Sequence, residues 1–217
     1  IVLKNRGAKV CGYDMKHSDT TDMLENLGIE IDYQHDLTKL ADCDTVVYTA
    51  AVSKETAPEL NFAEENGKLL ITRAELLGAV TASYKHSVGV SGTHGKSSTT
   101  GMISSIYMEY DKESSVLSGC VIPSLGATYK IGKSDRIVFE ACEYKDSFLS
   151  MCPSLKVVLN CKLDHVDYFQ DIDAIKTSFT KYMDIPHAFG DNMALVNLDC
   201  ENAANAAKLA KTKIYYY

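Results

Sequence analysis

The chain has 217 residues, of which 46% are hydrophobic and 24% charged, the balance of a folded globular protein rather than a disordered one. A formal net charge of −7, with Lys and Arg spread along the chain, leaves no basic stripe to neutralise phosphates and excludes nucleic acid as a partner class. Seven cysteines (Cys11, Cys43, Cys120, Cys142, Cys152, Cys161 and Cys200) are an odd number without a C-x-x-C pair, which argues for reduced, core-filling thiols in a cytoplasmic protein. No apolar run approaches the roughly 20 residues that span a bilayer, and the N-terminus has no signal-peptide core, so no membrane association is expected.

Residues 8–14 (AKVCGYD) read as a short buried strand ending in an acid. Residues 18–22 then offer N-cap candidates for a helix through Met23, Leu24 and Leu27, which Gly28 closes. Strand-like apolar runs recur at 45–51 and 68–72, with a helical pattern over 58–66 between them. Strands alternating with helices predict a parallel, doubly wound sheet. In such a sheet an acid at the end of the second strand follows its glycine-rich loop by about 20 residues, and counting back from Asp14 passes the first residue. The first strand and glycine loop of a Rossmann-like domain are therefore expected to lie outside this chain.

A second α/β series begins with the strand 86–91 (HSVGVS) and continues through 136–141, 155–160 and 193–197. Residues 171–183 form a predicted helix with Asp171 as cap and Ile172, Ile175, Phe179 and Tyr182 on one face. The junction falls near residues 84–86, giving domains over 1–85 and 86–217. Tyr215, Tyr216 and Tyr217 read as the start of a further strand, an unpaired edge expected to favour self-association.

The strongest chemical signal follows the strand HSVGVS: Gly92, Thr93, His94, Gly95, Lys96, Ser97 and Ser98, then a helix-compatible run over 99–110. Glycines let backbone N–H groups close around phosphate oxygens, and a helix N-terminus adds the positive end of its dipole. Lys96 is expected to reach the β and γ phosphates and the Ser97 hydroxyl to bind Mg²⁺. The usual G-x-x-x-x-G-K-[ST] pattern wants glycine where this chain has Val90, so the first glycine arrives at Gly92 instead. The bland alternative is a glycine turn that merely opens a helix.

Three stretches in order carry a resemblance. Gly92-Thr-His-Gly-Lys-Ser-Ser98 is similar to the G-T-[HN]-G-K-T-T loop of the Mur ligases, and His94 to their alanine-adding branch in particular. Glu140-Ala-Cys-Glu143-Tyr-Lys-Asp146-Ser-Phe resembles the family's E-A-[DC]-E-[SY]-x-[DA]-S-F, and Asn160-Cys-Lys-Leu-Asp164-His165-Val-Asp167-Tyr-Phe resembles N-I-E-A-D-H-[LM]-D-[YT]. Further similarity runs through residues 5–14, 46–52 and 72–77, so it covers nearly the whole chain. Ser97 and Ser98 replace threonines, which keeps a hydroxyl, and Lys162 stands where the alanine-adding branch usually has Glu.

The resemblance implies a Rossmann-like UDP-sugar domain over 1–85 and a central ATPase domain over 86–217, both incomplete, with the acceptor domain absent. It implies UDP-N-acetylmuramate and L-alanine as substrates, with ATP and Mg²⁺. ATP phosphorylates the sugar's lactyl carboxylate and the amine attacks the acyl phosphate. By the same resemblance Lys96, Glu140 and His165 are catalytic, Ser97 and Glu140 hold Mg²⁺, and His165 helps to ligate a second ion. Glu143, Asp146, Asp164 and Asp167 read as ordinary acids at loop mouths, with Asp164 a candidate to orient His165. Asp14 faces the uridine or caps its own strand. Competing readings are a ligase that attaches a recycled tripeptide to the same sugar, and a nucleotide- or sugar-binding fragment without catalysis. A P-loop GTPase is disfavoured because Asn160-Cys-Lys-Leu-Asp has one residue too many for N-K-x-D.

Overall fold

Short capping signals set many of the element boundaries. In the computed structural model, which describes residues 1–49 and 52–217, the Ser18 hydroxyl accepts from Thr21 N–H and the Thr21 hydroxyl accepts from Ser18 N–H. This reciprocal cap starts one helix, and Gly28, with φ at +72°, follows its end as the sequence predicts. The chain folds as two compact units, Ile1–Leu76 and Leu77–Tyr217.

The first unit runs α1 (Val2–Asn5), β1 (Cys11–Tyr13), α2 (Asp19–Asn26), β2 (Glu30–Asp32), α3 (Leu37–Leu40), β3 (Thr45–Tyr48), α4 (Pro58–Glu65), β4 (Leu69–Thr72) and the start of α5 (Arg73–Ala82). Strand pairing is parallel, as expected, but forms two separate two-stranded sheets, β1–β2 and β3–β4. Among the described residues no strand lies between the pairs, and a continuous parallel sheet needs one that bonds to both inner edges. The expected buried strand over 8–14 is corrected on the same ground. β1 has three residues, pairs with β2 alone, and leaves Cys11 and Tyr13 exposed. Of the strand expected over 45–51, Ala50 and Ala51 lie outside the described residues.

The second unit continues α5 into β5 (His86–Ser91), α6 (Lys96–Tyr110), β6 (Ser115–Ile122), β7 (Ala127–Lys130) and β8 (Arg136–Glu140). A 3-10 segment (Tyr144–Ser150), β9 (Leu155–Val158), α7 (Ile172–Asp184), β10 (Met193–Val196), α8 (Glu201–Leu209) and β11 (Lys213–Tyr216) complete it. One seven-stranded sheet has the order β11-β10-β9-β5-β8-β6-β7, parallel throughout except for β7, which runs antiparallel to β6. β5 is therefore central, flanked by β8 and β9. The β6–β7 hairpin and the alanine-rich α8 have no counterpart in the predicted elements.

Val88 and Val90 of β5, Val138 of β8 and Val157 of β9 form the core beneath α6, whose Ile103 and Tyr107 pack on them. On the predicted face of α7, Ile175, Phe179 and Tyr182 are buried while Ile172 is half-buried. Phe148 packs edge-on against Phe179 at 5.2 Å between ring centroids and stacks on Tyr182 at 4.5 Å. This aromatic group pins the 3-10 segment to α7. At the sheet edge Tyr215 and Tyr216 remain partly exposed. Of the cysteines expected to fill the core, Cys161 is buried, whereas Cys11 and Cys120 are exposed because their strand segments lack cover.

Candidate functional site

The loop from Gly92 to Gly95 joins the central strand β5 to the N-terminus of α6. Its geometry depends on its two glycines. Gly95 takes φ +84° and Gly92 takes φ +140°, both of which disfavour a side chain. A Cβ at position 92 would also lie 3.0–3.2 Å from Leu159 Cβ and the backbone N and O of Asn160. Val90, where the usual pattern wants glycine, is a fully buried residue of β5 paired with Glu140. The strand continues through that position, so the turn has no need of glycine until Gly92.

The segment after β9 braces the loop. Asn160 Oδ1 accepts from His94 N–H at 2.9 Å and Asn160 Nδ2 donates to the His94 carbonyl at 2.9 Å. Thr93 N–H donates to the Asn160 carbonyl at 3.3 Å, and the Thr93 hydroxyl accepts from Lys162 N–H at 2.9 Å. Lys162, which stands where the alanine-adding branch usually has Glu, contributes its backbone to this brace and keeps an exposed side chain. With the loop fixed from one side, the N–H groups of Lys96, Ser97 and Ser98 in the first turn of α6 lack intrahelical acceptors, and they add to the positive end of the helix dipole.

Lys96 folds over the loop. Its ammonium donates to the carbonyls of Gly92 at 2.6 Å and Thr93 at 3.3 Å and to Glu143 Oε1 at 3.2 Å, and Glu143 Oε2 lies 3.0 Å away. Glu143 Oε1 is 3.8 Å from His165 Nε2. His165 takes φ +52° and its ring lies 4.5 Å from that of Tyr144. The Tyr144 hydroxyl donates to Asp167 Oδ2 at 2.7 Å, and this bond pushes the phenol pKa up, so that it stays a donor.

Glu140 ends β8, beside the strand β5 that leads into the glycine loop, as expected for an acid at the carboxyl edge. Its Oε1 accepts from Ser118 Oγ at 2.9 Å and Gly119 N–H at 2.8 Å on β6. The structure thus brings Lys96 and His165 together through Glu143. Among the described residues, no hydrogen bond or ion pair joins Glu140 to Ser97 or His165. The oxygen donors of Ser97 and Glu140 suit a hard cation such as Mg²⁺, with the His165 nitrogen the softer member of the set.

Two readings of single residues are corrected. Asp164 accepts the backbone N–H of His165 at 2.7 Å instead of orienting its ring. Glu143, read as an ordinary acid at a loop mouth, is 1% exposed and ion-paired. Asp14, read as facing a ligand or capping its strand, accepts Lys16 N–H at 3.1 Å.

On the outer side of the loop a cleft of about 490 Å³ is lined by His94, Leu159, Asn160, Lys162, Asn197, Asp199 and Asn202 among others. Asn197 Nδ2 donates to the Leu159 carbonyl at 3.0 Å and Asn202 Nδ2 to the Cys161 carbonyl at 3.1 Å, so both side chains fix its floor. Sequence reasoning missed these asparagines. Their signal was the strand β10 ending in an Asn-rich helix start.

The profile described as "Mur ligase family, catalytic domain" matches residues 1–85 and that of the "Mur ligase middle domain" matches residues 90–217. The chain belongs to the Mur ligase family. Among Mur ligases it is 42% identical to the UDP-N-acetylmuramate–L-alanine ligase of Caldicellulosiruptor saccharolyticus over 218 positions, covering all of this chain and 47% of that protein. It thus spans about half the length of this curated relative. Its fold is that of the Neisseria UDP-N-acetylmuramate:L-alanyl-gamma-D-glutamyl-meso-diaminopimelate ligase (TM-score 0.86, 23% identity, 99% of this chain and 71% of that one). The UDP-N-acetylmuramate-alanine ligase of Thermotoga maritima also shares it (TM-score 0.80, 21% identity, 99% and 48%). No helix among the described residues is long and apolar enough to cross a membrane.

Proposed function

We propose that this Mur ligase chain carries the ATP-binding machinery of an enzyme that joins L-alanine to UDP-N-acetylmuramate. Residues 86–217 serve the nucleotide and residues 1–85 the UDP-sugar. The observation that carries the reading is the braced loop: a central parallel strand, two glycines in positive φ, a lysine over the loop and an uncapped helix N-terminus. Support for L-alanine as the acceptor comes from the 42% identity to a UDP-N-acetylmuramate–L-alanine ligase.

Amide formation from a carboxylate needs a better leaving group than hydroxide. ATP supplies it by phosphorylating the lactyl carboxylate, with ADP leaving. The amine of L-alanine attacks the acyl phosphate, which releases phosphate. Protein work in such a transfer is positioning and charge neutralisation. The N–H groups of Lys96, Ser97 and Ser98 hold phosphate oxygens, and Lys96 neutralises the β and γ groups. Gly92, Thr93, His94 and Gly95 shape the cradle. The cleft beside His94 and Asn160 has the size and polarity for the nucleoside. Ser97 and Glu140 would hold Mg²⁺, with His165 available to a second ion, and such ions would offset phosphate charge.

Equilibrium titration with ATP·Mg²⁺ tests this reading. The wild-type chain should prefer ATP to GTP, and Lys96→Ala should weaken ATP binding by about 1.5 to 3 kcal/mol, the range for a hydrogen bond to a charged group. Equal affinity of variant and wild type would remove the phosphate-loop assignment.

A further inference from the structure

Glu143 is a carboxylate 1% exposed beside the lysine of the loop. A buried charge is tolerable only when paired, and its partner here is Lys96, itself largely buried. An ammonium has three protons. Those of Lys96 face the Gly92 carbonyl, the Thr93 carbonyl and Glu143, so none is left over for an incoming phosphate. Glu143 Oε2 lies 3.0 Å from the same ammonium, and His165 Nε2 is 3.8 Å from Oε1.

The backbone that presents Glu143 is held with equal care. Lys145 and Asp146 are consecutive non-glycine residues at φ +50° and +56°, a conformation that persists only where the surroundings enforce it. Asp146 accepts from the Ser178 hydroxyl on α7 and from the Tyr168 hydroxyl at 2.8 Å, while Tyr144 is tied to Asp167. The turn therefore cannot easily swing Glu143 away from the loop.

We propose that Glu143 is a positioning residue that latches Lys96, so that a nucleotide phosphate enters only by exchanging with the Glu143–Lys96 ion pair. The proposal rests on the reading of residues 92–98 as a phosphate loop. It has an unusual sign. Removing the charge of Glu143 frees Lys96 and relieves repulsion of phosphate, so the variant binds nucleotide more tightly. A carboxylate that only stabilised the fold would give weaker binding on removal.

The test is calorimetric titration of the whole chain, wild type and Glu143→Gln, with ATP·Mg²⁺, ADP and AMP. Glu143→Gln should bind ATP about tenfold more tightly, equivalent to about 1.4 kcal/mol, with a smaller gain for ADP and none for AMP. Equal or weaker ATP binding by a variant that melts cooperatively overturns the latch alone. If neither protein binds ATP, the phosphate-loop reading falls and the latch falls with it. Should Glu143→Gln fail to fold, Glu143→Asp keeps the charge but draws it back by one methylene from Lys96. Tighter ATP binding by that variant supports the latch, and unchanged or weaker binding overturns it.

Discussion

Asn160 holds His94 by both atoms of its side-chain amide, accepting from the N–H and donating to the carbonyl, each at 2.9 Å. This pairing imitates one rung of a sheet and fixes the middle of the loop without using the N–H groups that open α6. In Asn160→Ala both bonds are lost at an exposed site where water can replace them, so stability should fall by only about 1 kcal/mol. Nucleotide affinity should fall more steeply, by about tenfold, because an unbraced loop must be ordered on binding. Thermal melts and ATP titrations of the same preparation separate the two effects. A variant with normal affinity would show that the brace is irrelevant to the site.

Gly78 lies within α5, where alanine is ordinarily the better helix former by about 1 kcal/mol. Here a Cβ would stand 1.9 Å from the Ser150 carbonyl oxygen and 2.8 Å from its carbon. Both atoms are backbone and cannot rotate aside. Overpacking costs about 1 to 3 kcal/mol and should win over propensity. Gly78→Ala should melt at least about 2 °C lower than the wild type. An unchanged or higher midpoint would contradict the contact between α5 and the end of the 3-10 segment.

Lys156 is fully buried in β9, where its ammonium donates to the Ile185 carbonyl at 2.6 Å and to the Asn192 side chain. Burial lowers its pKa from 10.5 to about 8. Below pH 8 folded and unfolded chains are both protonated there, and the cost of the buried charge is present in full. Between pH 8 and 10.5 the unfolded chain holds a proton that the folded chain has released, so this group makes stability rise with pH. The Cys161 thiol, pushed up from 9.0 to about 12 by burial, acts in the opposite sense above pH 9. The difference between wild type and Lys156→Met isolates the lysine. Urea midpoints at pH 7.5 and 9.5 should show the wild type gaining on the variant, and parallel midpoints would contradict the assignment.

The central strands and helices of the second unit were legible because their signals are local. HSVGVS is a short strand around Val88 and Val90 that runs into a glycine turn, Asp171 caps its helix, and the apolar spacing from Ile175 to Tyr182 repeats with the helical period. The β6–β7 hairpin was missed because Ser115–Ile122 mixes serines, glycine and cysteine and its pairing is decided by β8. The turn between β5 and α6 was legible from its glycines and lysine. The role of Glu143 was not, because only folding shows that the residue three places after Glu140 turns under Lys96 while Glu140 itself reaches β6. Asn160 was visible as a motif residue, yet its partner lies 66 positions away.

The most direct test of the central claim is a backbone amide NMR titration of the chain with ATP·Mg²⁺. The account predicts that the N–H resonances of Gly95, Lys96, Ser97 and Ser98 shift first and furthest, with Asn160 and the cleft residues Asn197 and Asn202 following at the same ligand concentration. Shifts that spare residues 92–98, or that centre on the exposed His17, Asp22 and Glu25 of the first unit, would contradict it.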